Sequence, residues 1–178
     1  MEWWQRELPA SFYDHFFERP WPASTYLPIY RWIASRVEEP VLDVGCGEGS
    51  LARILYANGV RDYMGIDFSE VAIRRARESM PLSFEVGDAR LLEYSRMAGY
   101  KTLVLCELLE HIAPDLELVS RIPATCIVLG SLPRGDGWGH VRFFPTMEQV
   151  LERYGKVLLF KEFVPMETQW WCFNARRR

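Results

Sequence analysis

The sequence predicts a doubly wound α/β sheet, mostly parallel, with an antiparallel C-terminal hairpin and an N-terminal helical extension. Three observations carry that expectation. From residue 41 to residue 154, short β-branched and leucine-rich runs alternate with segments whose apolar residues recur every three or four positions. Repeated strand–helix units of this kind require right-handed crossovers onto one parallel sheet. The first run, Val41-Leu-Asp-Val44, passes directly into Gly45-Cys-Gly-Glu-Gly49. That G-x-G-x-G spacing suits a tight turn feeding a helix N-terminus, where a ligand can approach backbone that carries no Cβ. Finally, runs 156–163 and 168–174 are joined by a short Pro165-containing turn, which reads as a hairpin at one edge.

The elements follow in order. Phe12/Phe16 and Tyr13/Phe17 fall four apart and predict a short helix ended by Pro20 and Pro22. Ile29, Trp32, Ile33 and Val37 mark a second helix, with Ser24 or Thr25 as its cap, Pro28 in its first turn and Pro40 as its stop. Residues 1–39 are thus expected to form a helical extension and 40–178 the core of one single domain. Strands are expected at 41–44, 63–67, 83–86, 102–106 and 126–129. Between them, a helix from Ser50 buries Leu51, Ile54 and Leu55 and closes at Asn58-Gly59. Ser69 caps a second, with Ala72, Ala76 and Met80 inward, and Leu116, Val119 and Ile122 mark a third over 115–122. Gly130, Pro133, Gly135, Gly137 and Gly139 make the next segment the one expected to move. Thr146 and Gln149 have capping-box spacing before a helix whose core face is Met147, Val150, Leu151 and Tyr154, ended by Gly155.

Composition narrows the function. A length of 178 residues fits one domain, and a net charge of −3 offers no general attraction to nucleic acid or anionic membrane. Cys46, Cys106, Cys126 and Cys172 are widely spaced without a C-x-x-C, as expected of reduced thiols in a cytoplasmic protein. No apolar run has membrane-spanning length, and the Trp-rich start does not read as a signal peptide. The expected partner is a small-molecule substrate, with nucleic acid disfavoured, and the expected assembly is a monomer or homodimer.

Ligands of such sheets bind beyond the carboxyl ends of the strands, so the loops at 45–50, 67–69, 87–89, 106–111 and 130–140 should line one cleft. A dinucleotide fingerprint wants Gly or Ala where Ser50 stands. Asp43 puts a carboxylate beside the glycine turn, poor company for a pyrophosphate and good company for an ammonium. Asp67 suits vicinal ribose hydroxyls, and Asp88 offers an acceptor to an exocyclic amine. LDVGCGEGS (42–50), GIDFS (65–69), GDA (87–89) and CELLEHI (106–112) together resemble the class I S-adenosylmethionine-dependent methyltransferases, a Rossmann-like family, over roughly residues 41–174. The resemblance implies that Asp43, Gly45, Cys46 and Gly47, with Gly49, surround the methionine part of S-adenosylmethionine. It implies Asp67 on the ribose, Phe68 beside the adenine, Asp88 on the adenine amine with Ala89 nearby, and Cys106 and Glu107 flanking the sulfonium. Lys101-Thr102 departs from the family, where an acidic residue is common.

Methyl transfer is an in-line displacement at carbon, so alignment and exclusion of water are the protein's main tasks. Glu107 and His111 are the candidate catalytic pair, and Glu107, Glu110, His111 and His140 form a candidate site for Mg²⁺ or Mn²⁺. The metal set requires 107–111 to wind into a helical turn that brings Glu107 to the side of Glu110 and His111. E-x-x-E-H followed by His resembles the metal site of terminal small-RNA 2′-O-methyltransferases, and a related motif occurs in polyprenyl-catechol O-methyltransferases. Metal ligand, general base and loop anchor all remain open for His111. Tyr13, Phe17, Trp21, Tyr26, Trp138 and Phe143 are candidate walls for the acceptor, and Arg19, Arg134 and Arg142 candidate partners for an anionic group. The expected activity is methyl transfer to an O or N atom of a small molecule. The alternatives are metal-dependent RNA 2′-O-methylation, a non-catalytic cofactor-binding scaffold and, more distantly, a NAD-linked oxidoreductase.

Overall fold

The structure, a computed structural model, describes residues 7–17 and 25–178. Two helices come first, α1 (Ala10–Phe17) and α2 (Leu27–Ala34). The alternating core then runs β1 (Val41–Val44), α3 (Ser50–Ala57), β2 (Tyr63–Asp67), α4 (Glu70–Ser79) and β3 (Ser83–Val86). It continues through a 3₁₀ turn at Ala89–Leu91, α5 (Tyr94–Met97), β4 (Thr102–Leu105), a 3₁₀ turn at Leu109–His111, α6 (Asp115–Arg121) and β5 (Ile127–Pro133). Helix α7 (Met147–Tyr154) and strands β6 (Leu158–Met166) and β7 (Trp170–Arg177) complete the chain.

The seven strands form one sheet in the order β3-β2-β1-β4-β5-β7-β6. Strands β1 to β5 pair in parallel, whereas β7 runs antiparallel to both β5 and β6. Every residue of β1, β4 and β5 is buried, as strands covered on both faces must be. The pleat sends Leu103 and Leu105 to one face and Val104 to the other. Helices α2, α3 and α4 cover the Val104 face with Ile29, Ile33, Leu55 and Ile73, while α5, α6 and α7 cover the other with Met97, Leu118, Val119 and Val150. Ile29 and Ile33 stand one turn apart on α2 and are fully buried, each worth about 2–3 kcal/mol of transfer free energy. They fasten the extension to the core.

Local chemistry sets the element ends. The Ser69 hydroxyl accepts from the Ala72 N–H at the start of α4, and Thr146 and Gln149 form the expected capping box. Gly59, in a left-handed conformation, follows the α3 cap Asn58.

Several expectations change. Strand β5 reaches Pro133, so Gly130 and Ser131 are sheet residues, paired with Phe173 and Cys172 of β7. The long β7 partner supplies hydrogen bonds that a reading of 126–129 alone does not foresee. Pro165 lies inside β6, at the edge of the sheet, where a missing N–H costs no ladder bond. The hairpin turns instead at 167–169, with Glu167 at φ 52°. Leu118, not the half-exposed Leu116, points inward from α6, and Leu151 of α7 is exposed. Thr25 is exposed, and α2 starts at Tyr26 with no side-chain cap; Ser24, Pro20 and Pro22 lie outside the described residues. Helix α5 is a single turn, too short to leave a periodic signal.

Candidate active site

The strand order reverses between β1 and β4, and the turns leaving their carboxyl ends diverge to open a crevice there. The turn after β1 takes Gly45, Gly47 and Gly49 to positive φ (79°, 53° and 80°). A Cβ at Gly45 would stand 2.9 Å from Leu108 of the neighbouring turn, so glycine is needed there for close approach as well as for conformation. Asp67, at the tip of β2, accepts from the Gly47 N–H and the Ser69 N–H, both at 2.9 Å. Its carboxylate therefore locks the glycine turn to the start of α4. Asp43 is fully buried and accepts a 2.8 Å bond from the Tyr63 hydroxyl. Burial pushes its carboxyl up to about 7, against the pull of that bond. Asp88 begins the 3₁₀ turn and is held below the usual carboxylate range by Arg90, which bonds it from its side chain and its backbone N–H.

The turn after β4 is the less regular part. Glu107 sits at φ 50°, a strained conformation for a residue with a Cβ. Three bonds over-determine it. The Ser131 hydroxyl donates to Oε1 at 2.7 Å, the Trp170 indole N–H donates to Oε2 at 2.8 Å, and the Glu107 N–H donates back to Ser131 Oγ at 3.0 Å. Burial raises the Glu107 carboxyl to about 7, with both donors pulling it down. Three residues on, Glu110 is fully buried, and among the described residues neither of its carboxyl oxygens has a hydrogen-bond partner. Burial, and secondarily Glu107, holds it protonated well above its ordinary range.

His111 Nδ1 lies 3.1 Å from the Gly139 carbonyl and 3.0 Å from the Tyr13 hydroxyl. A carbonyl only accepts, so the ring proton belongs on Nδ1 and Nε2 is left with a lone pair. That Nε2 stands 3.9 Å from Glu110 Oε1. Burial depresses His111 to about 4, assisted by His140, whose ring centroid is 4.9 Å away and whose own buried Nδ1 has no partner among the described residues.

Two cavities meet over these residues. The narrower, of about 150 Å³, is lined by Asp67, Phe68, Gly87, Asp88 and Ala89 and roofed by Glu7, Leu8 and Tyr13. The wider, of about 960 Å³, opens between the glycine turn, the 133–140 loop and the Tyr26, Tyr30 and Trp170 rings. Tyr13, Gly45, Gly47, Glu107 and His111 line both. A narrow slot thus joins a roomy chamber at a point bounded by the Glu107 carboxyl group and the His111 imidazole.

Residues 41–124 match the family model of a methyltransferase domain. From β1 to just beyond α6 the chain is therefore similar to a methyltransferase domain. Solved structures of the same fold include magnesium protoporphyrin IX methyltransferase from Synechocystis with bound S-adenosylmethionine (17% identity, 88% of this chain and 79% of that chain, TM-score 0.66). A TehB-like methyltransferase from Corynebacterium glutamicum aligns with 18% identity over 96% of this chain and 100% of its own, at TM-score 0.64. An S-adenosylmethionine-dependent methyltransferase from Mesorhizobium loti aligns with 17% identity over 86% and 97%, at TM-score 0.63. No curated protein is significantly similar in sequence.

The expected cofactor residues gather at the crevice: Asp43, Gly45, Cys46, Gly47, Asp67, Phe68, Asp88, Ala89, Cys106 and Glu107 all line one cavity or the other. Gly49 instead packs under α4, where a Cβ would meet Met80 and Phe84 at 3.1–3.4 Å. The expected four-residue metal set is reduced. Glu110, His111 and His140 offer ligand atoms within 4.8 Å of one another, but Glu107 does not join them. The helical turn expected over 107–111 is absent, because left-handed Glu107 is turned to Ser131 and Trp170 before the 3₁₀ turn begins. Arg142 is withdrawn from substrate duty: it donates to the Leu109, Ile112 and Ala113 carbonyls and lies 3.4 Å from buried Asp115. Arg134 stacks on Trp171 at 4.4 Å and does line the chamber. Tyr13, Tyr26 and Trp138 line the chamber, whereas Phe143 does not; Trp21, Arg19 and the Phe17 side chain lie outside the described residues. Tyr30, Ser131 and Trp170 were missed by sequence reasoning. Tyr30 had a signal, being one turn beyond Tyr26 on an amphipathic helix.

Proposed function

We propose that this protein binds S-adenosylmethionine across the two cavities and passes its methyl group to an O or N atom of a small molecule held in the wide chamber. The observation that carries this is the junction, where Gly45, Gly47, Glu107 and His111 border both spaces. The narrow slot takes the adenosine, with Asp67 on the ribose, Phe68 and Ala89 against the base and Asp88 toward its amine. The amino-acid tail lies over the glycine turn toward Asp43, and an arriving ammonium draws that carboxyl into its charged form. Cys46 and Cys106 flank this end.

The acceptor's lone pair attacks the methyl carbon in line with the departing sulfur, which leaves as the neutral thioether of S-adenosylhomocysteine. Glu107, fixed by two donors, and His111, with a bare Nε2, stand where a proton would be taken up. Buried rings around them keep water from competing. Purified protein should be stabilised thermally by S-adenosylhomocysteine and not by NAD, and Asp67→Ala should lose that stabilisation. Stabilisation by NAD alone refutes this reading.

A second reading has one observation in its favour: beside His111 Nε2 and His140, the fully buried oxygens of Glu110 have no hydrogen-bond partner among the described residues. These three groups fit a divalent cation such as Mn²⁺ or Mg²⁺, and a bound ion would supply Lewis acidity to an acceptor oxygen. A thermal shift with Mn²⁺ that disappears in Glu110→Gln would support it. Full turnover in a chelator excludes it. The chamber's acidic lining argues against RNA as the acceptor.

A further inference from the structure

We infer that the methyl acceptor is an amine, drawn into the chamber as an ammonium ion by Glu107 and the surrounding aromatic faces. The inference rests on the functional reading above and narrows its acceptor to one class.

Charge is the first ground. Among the described residues the chamber is lined by the carboxyl groups of Asp43, Glu48, Glu107 and Asp136 and by one guanidinium, that of Arg134. Glu48 is paired with Arg75 at 3.6 Å, and Asp43 is turned to Tyr63 beneath the glycine turn. Arg134 is laid against the Trp171 face. Glu107 lines both cavities, and the two groups that hold its carboxyl, the Ser131 hydroxyl and the Trp170 indole N–H, are neutral. They orient its negative charge without cancelling it, and a bound cation restores electroneutrality.

Shape is the second. Trp170, which holds Glu107, lies with its ring centroid 5.5 Å from Tyr26, and Tyr30 follows at 6.1 Å from Tyr26. Aromatic faces beside a carboxylate form the arrangement that attracts organic cations, through the ring quadrupole and the charge together. An anionic acceptor would meet the same carboxyl groups unfavourably. A neutral alcohol would draw little from the charge on Glu107.

The chemistry balances. The ammonium gives one proton to the Glu107 carboxylate, freeing the nitrogen lone pair. That pair forms the N–C bond as the C–S bond breaks, and its electrons pass to sulfur. The product is a methylated ammonium and a neutral thioether, and Glu107 returns its proton to solvent.

The test uses the intact protein saturated with S-adenosylhomocysteine, whose binding is measured first. Loss of that binding sinks the functional reading itself. Calorimetric titration then compares 2-phenylethylamine, 2-phenylethanol and phenylacetate, equal in ring and length and different in charge. The amine is expected to bind at least ~10-fold more tightly than the other two, and Glu107→Gln to bring the amine and 2-phenylethanol to within about twofold of each other. Equal or weaker binding of the amine, no binding of it at millimolar concentration, or a margin that survives in a Glu107→Gln protein still able to bind S-adenosylhomocysteine overturns the inference. Should Glu107→Gln fail to fold, the three ligands on the wild-type protein decide alone.

Discussion

At the scale of single residues, the site depends on where burial and hydrogen bonding oppose each other. Ser131 and Trp170 lower the affinity of Glu107 for a proton while burial raises it. Ser131→Ala removes one donor, so the carboxyl should move further up, and the acid limb of kcat/KM against pH should shift upward by ~1 unit. Stability should fall by about 1–2 kcal/mol in thermal or denaturant unfolding, as expected when a buried acceptor loses its partner. Asp43 gives a second prediction. Its folded value of about 7 lies above the ordinary 3.8, so the folded state binds more protons than the unfolded one between those limits. Stability therefore declines as pH rises across that window. Asp43→Asn should flatten the decline and be more stable than wild type above pH 7 in the absence of ligand, by an amount on the order of a few kcal/mol. The same variant should lose S-adenosylhomocysteine affinity. Asp43 was legible in the sequence because it precedes a glycine turn by two residues. Ser131 and Trp170 were not, since Ser131 reaches Glu107 through the parallel pairing of β4 with β5 and Trp170 through the antiparallel pairing of β5 with β7, and no spacing along the chain announces a partner 24 or 63 residues away.

At the scale of elements, the active turn after β4 and the glycine-rich loop after β5 behave as one unit. The Val141 N–H donates to the Glu110 carbonyl at 2.8 Å, His111 Nδ1 reaches the Gly139 carbonyl, and Arg142 spans the Leu109, Ile112 and Ala113 carbonyls. Asp115 stands behind the clamp, fully buried, with Arg153 and the Tyr154 hydroxyl bonded to it. Arg142→Ala strips three carbonyls of a charged donor. It should cost about 2–3 kcal/mol of stability and depress kcat more than the affinity for S-adenosylhomocysteine, as urea titration and steady-state kinetics would show. Arg142→Lys should recover only part of both, because one ammonium cannot reproduce the planar fork. A segment with so many glycines reads as mobile in the sequence. The tethers that hold it are largely backbone groups, which carry no residue-type signature, and Arg142 looked like any other cation available to an anion. The regular strands and the helices α3, α4 and α7 were legible because period and capping agree with the final packing. The turn at 107–111 was not, because a left-handed glutamate contradicts local preference and is paid for by bonds from elsewhere.

At the scale of the whole molecule, the extension and the sheet divide the labour of binding. The sheet supplies a crevice open on one side, and the extension, through Glu7, Leu8 and Tyr13, lines the narrow slot. Tyr13 packs against Phe68 at 5.2 Å and bonds His111, Asp14 accepts from Ser69 Oγ and from the Val71 N–H at the head of α4, and Glu7 bonds Arg90 at 2.9 Å and the Ala113 N–H. Together these contacts join the extension to the segments that follow three strands, β2, β3 and β4, so it bridges the rim rather than the core. A cofactor in the slot would lie beneath Tyr13, and its exit requires these bonds to part. None of them is buried deeply enough to hold the fold together, since α2, through Ile29 and Ile33, already anchors the extension. Tyr13→Ala should therefore leave the melting temperature of the ligand-free protein nearly unchanged. It should accelerate dissociation of S-adenosylhomocysteine by about tenfold in stopped-flow displacement, a change equivalent to about 1.4 kcal/mol of lost closure. Tyr13→Phe, which keeps the ring and loses only the bond to His111, should fall between the two. If dissociation is as slow in Tyr13→Ala as in wild type, α1 is a cover that does not gate the site.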